Sequence, residues 1–329
     1  MVITRTPFRI SFFGGGTDHP KWFLNHGGKV LGTTIDKYCY VSLRYLPPFF
    51  PHKHRIVYSK TETVMTVDEI QNPVVRECLK DQQINRGVEV HHEADLPTRT
   101  GVATSSAFTV GLLNAIYALK GEMVPKEWLY TEAIDIEQNK IKDVVGSQDQ
   151  IFAAMGGFNQ IDFLRSGETV ITPIIMSKNK LKRLQDNLLL FFTGFTRFSS
   201  NIESDKLKNF NNRKTDLFAM MRMVEVVYDL LRENKFDDFG LLLNEAWMKK
   251  KSLSSLVSNS EIDVIYEKAR KAGALGGKIL GAGGGGFMLL YVPVANQFQV
   301  RLELKELLEI PFAFENTGSQ VIFHNSEND

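Results

Sequence analysis

The chain is poor in cysteine, carries almost no net charge and has no hydrophobic run long enough for a membrane. Its two cysteines, Cys39 and Cys78, cannot form a disulfide framework, so we expect a reducing compartment. Lys and Arg number 39 and Asp and Glu 38, and the net charge of +1 argues against a nucleic-acid partner. The strongest apolar run, at 188–192, is far too short to span a bilayer. The first residues lack the apolar core of a signal peptide, and we therefore expect a cytoplasmic protein without a membrane partner.

The length and composition are those of an ordinary globular protein. The chain has 329 residues, of which 43% are hydrophobic and 23% charged, and this length allows two packed domains. Strand-like and helix-like segments are mixed in the N-terminal half, and a half dominated by long helical stretches begins near residue 180. The sequence shows no repeat and no low-complexity linker.

Local patterns predict the main elements. β-branched and aromatic residues from Val2 to Phe13 predict a strand that ends in a turn at three glycines. Residues 105–119 are apolar nearly all round, which predicts a helix buried inside a domain. Further predictions are strands at 38–45, 88–91, 188–192 and 287–292, and helices at 125–141, 214–233, 236–253 and 260–271, the last with Ser260 as its N-cap.

The segment 96–107 contains Gly101, followed by hydroxyl side chains at Thr104, Ser105 and Ser106. Gly101 allows a tight turn, and the hydroxyls fall at the start of the predicted helix. A helix N-terminus suits phosphates because its N–H groups are unpaired and its dipole is positive there, and hydroxyls can bind phosphate oxygens or Mg²⁺. The plainer alternative is that Thr104 or Ser105 only caps the helix. The segment is not a Walker A loop, because no Gly-Lys-Ser/Thr follows.

Two carboxylates, Glu137 and Asp149, lie twelve residues apart, on the predicted helix 125–141 and after a short turn. Phosphoryl transfer needs a metal held against the β- and γ-phosphates and an acceptor hydroxyl aimed in line, and carboxylates can serve both needs. Arg9 precedes the first glycine turn, and we expect it close enough to hold Asp149 ionised or to stabilise the transferring group. Alternatively, both carboxylates are solvated surface charges.

The glycine run at 281–287 includes four consecutive glycines, 283–286. In an ordered domain such a run indicates a backbone that approaches another group closely or takes positive φ. A dinucleotide-binding loop would follow a strand and open a helix, with an acidic residue about 20 positions further on. Here we predict the order helix, glycines, strand, so we reject that alternative.

Together with the segment 7–18, which ends in Gly-Gly-Gly-Thr-Asp, these motifs resemble in kind and order the signature of the GHMP kinases, a family that phosphorylates small metabolites with ATP. The resemblance implies an α+β, two-domain GHMP kinase fold. Its N-terminal ATP-binding domain, ribosomal protein S5 domain 2-like and α/β, is expected at 1–180, and its ferredoxin-like α+β C-terminal domain at 181–329. ATP and Mg²⁺ are the implied cofactors. The family pattern has glycine where this chain has Arg99 and Ala103, which changes the rim of the loop.

The resemblance also implies roles for individual residues. Asp149 is expected as the catalytic base with Arg9 beside it, and Ser105 and Glu137 are expected to hold the metal. Sugar hydroxyls are expected at three residues of the first turn, namely Gly16, Thr17 and Asp18. The ATP phosphates are expected at Gly101, Val102, Ala103, Thr104, Ser105, Ser106, Gly283 and Gly284.

The resemblance covers essentially the whole chain. In the segments 14–18, 104–115, 146–150, 156–159, 192–197 and 273–278 it extends to the branch that phosphorylates D-glycero-D-manno-heptose 7-phosphate. It implies transfer to the anomeric O1, which gives the 1,7-bisphosphate. A sugar that already carries phosphate needs a second basic cluster, for which forked arginine is best suited. We favour Arg197, with Arg55 and Arg99 next, and we interpret the lysine run 249–251 as solvated. Residues 58–60 are expected to border the adenine pocket.

Two alternatives stay open. The first is a galactose- or fucose-like kinase of the same fold, which turnover on heptose and on heptose 7-phosphate would distinguish. The second is a catalytically inactive sugar or nucleotide sensor, against which the presence of both Asp149 and Glu137 argues. The expected partners are a small-molecule sugar phosphate and ATP, and a homodimer is an open alternative to a monomer.

Overall fold

The computed structural model describes residues 1–195 and 199–325, and their strands form two sheets. The strands are β1 (Val2–Phe13), β2 (Gly28–Tyr45), β3 (His54–Val57), β4 (Thr61–Val64), β5 (Val88–Ala94), β6 (Phe158–Phe163), β7 (Thr169–Pro173), β8 (Leu188–Phe192), β9 (Gly276–Ile279), β10 (Phe287–Tyr291), β11 (Leu308–Glu309), β12 (Phe314–Glu315) and β13 (Gln320–His324). The α-helices are α1 (Pro20–His26), α2 (Pro73–Asp81), α3 (Thr104–Leu119), α4 (Lys126–Asp135), α5 (Gln148–Met155), α6 (Lys178–Asp186), α7 (Ser199–Asn209), α8 (Lys214–Arg232), α9 (Phe236–Ser252), α10 (Ser260–Lys271) and α11 (Gln297–Glu303).

The first sheet is built on the antiparallel pair of β1 and β2. Across the described residues it has nine strands: β13, β1, β2, β5, β3 and β4 follow one another, β6 and β12 pair with β2, and β7 pairs with β6. Only β3 and β5 run parallel to each other among these pairs. Every residue of β1 from Thr6 to Phe13 is buried, so this end of the strand is covered on both faces. The sheet thus holds Arg9 inside the protein.

Helix α3 packs against β1 and β2, in agreement with its apolar surface. Its backbone comes close to the sheet at Gly111, where a Cβ would lie 2.8 Å from Thr6 Oγ1. Thr4 Oγ1 donates to the Gly111 carbonyl at 2.9 Å. Just before the helix, the Val102 carbonyl accepts a hydrogen bond from the Arg9 backbone N–H at 3.1 Å. The start of α3 is therefore fixed beside the buried end of β1.

The second sheet has the order β11, β8, β10, β9, and its paired strands are antiparallel. Helix α9 packs against β9, and only glycine fits at the closest point, because a Cβ on Gly276 would lie 2.0 Å from the Gly240 carbonyl oxygen. Trp247, on the same helix, is fully buried in the adjoining core. This contact fixes α9 beside the glycine run that follows β9.

Most predicted elements are confirmed to within a few residues, but three expectations change. The strand predicted at 38–45 begins at Gly28, because β2 continues as the partner of β1 and β6. The N-cap of α10 is Asn259 and not Ser260, since the Asn259 side chain accepts from the Ile262 N–H at 2.9 Å. The glycine run follows a strand, β9, which was not predicted because Gly276, Gly277 and Lys278 have low strand propensity. The run is therefore the turn of a β9–β10 hairpin.

The division of the chain at residue 180 stays a prediction. The chain returns to the first sheet near its C-terminal end, where β12 pairs with β2 and β13 pairs with β1. Across the described ranges, none of the helices has the length and apolarity required to cross a bilayer.

Candidate active site

A cavity of about 430 Å³ brings the three motifs together. Its wall includes the buried end of β1, the start of α3, the turn before α5 and the glycine turn between β9 and β10. The residues predicted for the site that line this wall are Arg9, Gly16, Asp18, Gly101, Ala103, Thr104, Ser105, Ser106, Asp149 and Gly283. Sequence motifs that are far apart along the chain thus form one surface.

Arg9 and Asp149 form a two-point pair at this surface. Arg9 Nε donates to Asp149 Oδ1 at 2.8 Å, and Arg9 Nη2 donates to Asp149 Oδ2 at 2.9 Å. The third nitrogen, Nη1, donates to the Gly101 carbonyl at 2.6 Å. The arginine is almost fully buried, whereas 28% of the Asp149 side chain is exposed. One guanidinium therefore ties the carboxylate to the loop before α3, with planar fork geometry that a lysine does not have.

The loop before α3 leaves the first helical N–H groups without intrahelical acceptors. Ala103 occupies the N-cap position in the left-handed region, with φ of 66°, and its methyl side chain makes no cap hydrogen bond. The helix itself begins at Thr104, so the alternative that Thr104 or Ser105 serves as the cap is wrong. Residues 104–106 all line the cavity. The site therefore has an uncapped, positive helix end and two serine hydroxyls.

The glycine turn supports this loop through close backbone contacts. A Cβ on Gly101 would lie 2.4 Å from the Leu280 carbonyl oxygen, and a Cβ on Gly281 would lie 2.4 Å from the Gly101 Cα. Gly286 is equally close to Thr100, whose carbonyl would be 2.3 Å from an added Cβ. Both Gly101 and Gly281 also have positive φ, so glycine is required twice over.

Glu137 lies behind the wall and is held by neutral donors. Ser106 Oγ and Gln150 Nε2 donate to Oε2 at 2.9 and 2.5 Å, and Thr109 Oγ1 donates to Oε1 at 2.6 Å. The residue is 3% exposed, and burial raises the pKa of its carboxyl to about 7 although the three hydrogen bonds act in the opposite direction. Glu137 therefore lies directly behind Ser106, which lines the cavity.

Asp18 lines the cavity beside the turn before α5, and we call this part of the cavity the Asp18 end. Asp18 Oδ1 accepts from the Gly16 N–H at 2.9 Å, and burial, followed by the charge of Asp149, raises the pKa of Asp18. Gly146 is required beside it, because a Cβ there would lie 2.0 Å from Asp18 Oδ2. Ser11 Oγ and Gln148 Oε1 lie in the same wall, are buried and have no hydrogen-bond partner among the described residues. Neither of these residues was predicted from the sequence.

Several predicted residues lie elsewhere. Thr17 is buried outside the wall, where its hydroxyl donates to the Gly14 carbonyl at 2.7 Å. Val102 is buried behind the loop, and the Gly284 N–H donates to the Val257 carbonyl at 2.8 Å. Arg197 lies outside the described residues.

Of the two other arginines predicted to bind the sugar phosphate, Arg99 lines the cavity and Arg55 does not. Arg55 pairs with Glu89 on the first sheet, with 3.2 Å between Nη1 and Oε1.

The interpretation of the run 249–251 as solvated is wrong for its central residue. Lys250 is 5% exposed and lines the cavity, while Lys249 and Lys251 pair with Asp216 and Asp263 at 2.9 and 2.6 Å. A signal was present in the sequence, because Lys250 follows the buried helix positions 243, 246 and 247 at spacings of seven, four and three. Two further buried lysines line the same wall, Lys206 and Lys278.

The far side of the cavity has aromatic and amide groups. Tyr58 and Ser59 line it, together with Asn72. The His92 ring lies 4.5 Å from the Phe108 ring, centroid to centroid, and His92 Nε2 has no hydrogen-bond partner within the described residues. This end offers a planar, partly apolar surface with an available polar atom, and Lys60 is not part of it.

The kinase class and the family of the chain follow from sequence similarity. Residues 70–157 match the GHMP kinases N terminal domain and residues 227–309 match the GHMP kinases C terminal domain, together just over half of the chain. The chain therefore belongs to the GHMP kinase family.

Individual relatives and structures are similar over most of the chain. A D-glycero-alpha-D-manno-heptose 7-phosphate kinase of Campylobacter jejuni is 27% identical over 93% of each chain. A mevalonate kinase of Pyrococcus furiosus is 28% identical over 72% of this chain and 68% of its own. The crystal structure of a D-glycero-D-manno-heptose 1-phosphate kinase from Bacteroides thetaiotaomicron superposes with a TM-score of 0.82, at 21% identity over 99% of this chain and 100% of the other. At that identity the superposition shows the shared fold.

Proposed function

We propose that this chain is an ATP-dependent sugar kinase that transfers the γ-phosphate of ATP to the anomeric O1 of D-glycero-D-manno-heptose 7-phosphate, which gives the 1,7-bisphosphate. The observation that carries the proposal is the Arg9 guanidinium, which contacts both Asp149 and the Gly101 carbonyl of the loop before α3. The likeness to the Campylobacter jejuni heptose 7-phosphate kinase supports a sugar kinase.

In this proposal Asp149 is the base. The sugar O1–H points to the exposed part of the Asp149 carboxylate, which accepts the proton as the bond from O1 to the γ-phosphorus forms. The bond from that phosphorus to the bridging oxygen of ATP breaks, and ADP leaves with the electron pair. Arg9 fixes both oxygens of Asp149 and places a positive charge beside the transferring group. Burial of Arg9 keeps the fork rigid, so the carboxylate does not need to be ordered when the sugar arrives.

The two ends of the cavity then divide the substrates. The phosphates of ATP lie at the uncapped start of α3 with Ser105 and Ser106, and the adenine ring of ATP lies toward Tyr58 and His92. ATP is the phosphate donor used by GHMP kinases, which agrees with this arrangement. The sugar lies beside Asp18, where the unpartnered oxygens of Ser11 and Gln148 are available to its hydroxyls.

Mg²⁺ fits the donor set at the start of α3. Hydroxyl and carboxylate oxygens are the ligands that this ion prefers. A carboxylate has about four acceptor positions, and three are used at Glu137, which leaves one for a cation. We propose that Ser105 and Glu137 would hold the ion. When bound, it would neutralise charge on the β- and γ-phosphates.

A substrate panel tests the proposal. The purified chain is supplied with Mg-ATP and, separately, with D-glycero-D-manno-heptose 7-phosphate, the unphosphorylated heptose, galactose and fucose. Phosphorus NMR of the product locates the new phosphate. We expect the highest kcat/KM for heptose 7-phosphate and a new phosphate on C1. Faster turnover of galactose or fucose, or phosphate at another carbon, would contradict the proposal, and an Asp149→Asn sample controls for contaminating kinases.

A further inference from the structure

Three buried lysine side chains line the wall of the cavity, and none of them lies in the motifs assigned to catalysis. They are Lys206 on α7, Lys250 on α9 and Lys278 on β9, exposed to 3, 5 and 4%. Three separate elements of the chain bring them together. Such a convergence of long, charged side chains into a protein interior needs a physical reason, because lysine is rarely fully buried unless it is paired.

Two of the three lysines have no carboxylate partner within the described residues. Lys278 Nζ donates to the Phe12 carbonyl at 2.8 Å, and Lys250 Nζ donates to the carbonyls of Ile279 and Gly281 at 2.8 and 2.5 Å. Each ammonium has three N–H groups, so two at Lys278 and one at Lys250 are left for a ligand. Lys206 pairs with Glu203 at 2.6 Å and keeps two more.

The charges of the cluster repel one another. Burial, followed by the charge of Arg9, lowers the pKa of Lys278 to about 7. Burial and then the charge of Lys278 lower the pKa of Lys250 well below its usual range. An anion between these groups would offset both effects, because it favours the charged form of each lysine.

Two of the three lysines lie toward Asp18, and the third, Lys250, contacts the glycine turn through the Gly281 carbonyl. Lys206 and its partner Glu203 act electrostatically on His19, and Glu203 also acts on Asp18, so they lie at the Asp18 end. Lys278 holds the Phe12 carbonyl, two residues before the turn that leads to Asp18. The opposite end already has a helix N-terminus for the phosphates of a nucleotide.

We propose that Lys206, Lys250 and Lys278 form the recognition site for the phosphate monoester that the sugar already carries when it enters the cavity. This inference rests on the proposed function and deepens it, since it makes a phosphorylated sugar the preferred acceptor. The lysines would bind a phosphate group, and both the acceptor sugar and ATP bring one into this cavity. We assign the lysines to the sugar, because Lys206 and Lys278 lie toward Asp18, and Lys250 interacts electrostatically with both of them.

The test compares sugars with and without phosphate in single lysine variants. Lys250→Met and Lys278→Met keep the length of the side chain and remove its charge. We expect KM for heptose 7-phosphate to rise about 10- to 100-fold, as for the loss of one charge-assisted hydrogen bond, while KM for ATP and kcat/KM for unphosphorylated heptose change less than about threefold. Lys249→Met is the matched control, because Lys249 is the neighbour of Lys250 on α9 and pairs with Asp216 outside the cavity.

Inhibition of the wild-type chain by inorganic phosphate supplies a second readout, which does not depend on how well the variants fold. Inorganic phosphate should inhibit competitively against heptose 7-phosphate and not against ATP. A rise in KM for ATP alone, or inhibition competitive with ATP alone, would assign the lysines to the nucleotide and overturn the inference. If KM for heptose 7-phosphate is the same in both lysine variants as in the wild-type chain, the inference is overturned and the proposed function is unaffected. If the wild-type chain phosphorylates none of the sugars but heptose 7-phosphate still competes with inorganic phosphate for binding, only the proposed function is contradicted.

Discussion

Asp149 and Glu137 lie twelve residues apart and belong to the same site, but the protein surrounds them with opposite kinds of partner. Asp149 is partly exposed and faces a buried arginine through two hydrogen bonds. Glu137 is buried, and the donors that contact it among the described residues are neutral, namely Ser106, Thr109 and Gln150. Burial raises the pKa of Glu137 to about 7 in spite of these donors.

The difference shows what hydrogen bonds can and cannot do for a buried charge. Three neutral donors fix the orientation of Glu137 but do not replace the solvation that burial removes. A guanidinium supplies two hydrogen bonds and a full positive charge at once, as Arg9 does for Asp149. Asp149 is therefore paired with a positive charge of the protein itself, whereas we expect Glu137 to require a bound cation before it is fully ionised.

The largest expected effect comes from removing the charge of Asp149. Asp149→Asn keeps the shape of the side chain but removes its basicity, and kcat should fall about 10²- to 10⁴-fold, with KM for ATP near the wild-type value. A smaller fall would indicate that the loose transition state of phosphoryl transfer needs little proton removal. Steady-state kinetics measure the effect, and Asp162→Asn, on β6 and outside the cavity, is the control. Near-normal kcat would leave Asp149 with a positioning role only.

Much of the fold was predictable, because its signals are local. The apolar surface of α3 and the aromatic and β-branched residues of β1 each indicate an element without knowledge of the rest of the chain. The strand β9 was not predictable in the same way. Its Gly276 and Gly277 lack β propensity, and they are present because α9 and β10 approach the strand closely.

The site shows the same division. Arg9, Asp149 and Ser105 belong to motifs whose residue types suggest phosphate chemistry. The contribution of Lys206 and Lys278 depends on which elements meet in space, and a single lysine in a sequence carries no information about that. Lys250 is intermediate, since helical spacing places it on the buried face of α9, but lysines in a run are usually solvated.

The second prediction sharpens the contrast through pH. In metal-free buffer Glu137 binds its proton up to about pH 7 in the folded chain, whereas the unfolded chain releases it near pH 4.5. The folded state binds more protons between these values, so its stability should fall as pH rises from 4.5 to 7, by about 3 kcal/mol from this group. In Glu137→Gln this part of the fall should disappear, because the amide does not titrate. Urea unfolding at several pH values measures it, and an unchanged pH profile in the variant would contradict the assignment.

The third prediction concerns the fork. Arg9→Lys keeps the positive charge but cannot make two hydrogen bonds to Asp149 and one to the Gly101 carbonyl together. We expect kcat to fall about 10- to 100-fold, corresponding to about 1.4–2.7 kcal/mol, less than for loss of Asp149 itself. Arg5→Lys is the matched control on the same strand, since Arg5 contacts Gln320 and the Tyr38 ring outside the cavity. Wild-type kcat in Arg9→Lys would show that charge alone is sufficient beside Asp149.

The smallest expected effect separates the two hydroxyls that hold Glu137. Ser106 supports the carboxylate and also lines the cavity, whereas Thr109 supports it from a fully buried position. Ser106→Ala should raise KM for Mg-ATP about 3- to 10-fold, as expected for one hydrogen bond, and the nearly isosteric Thr109→Val should raise it less than about twofold. Thermal unfolding of both variants controls for general destabilisation. Equal increases in KM would mean that both residues act only by orienting Glu137, and that the Ser106 hydroxyl has no direct contact with the nucleotide.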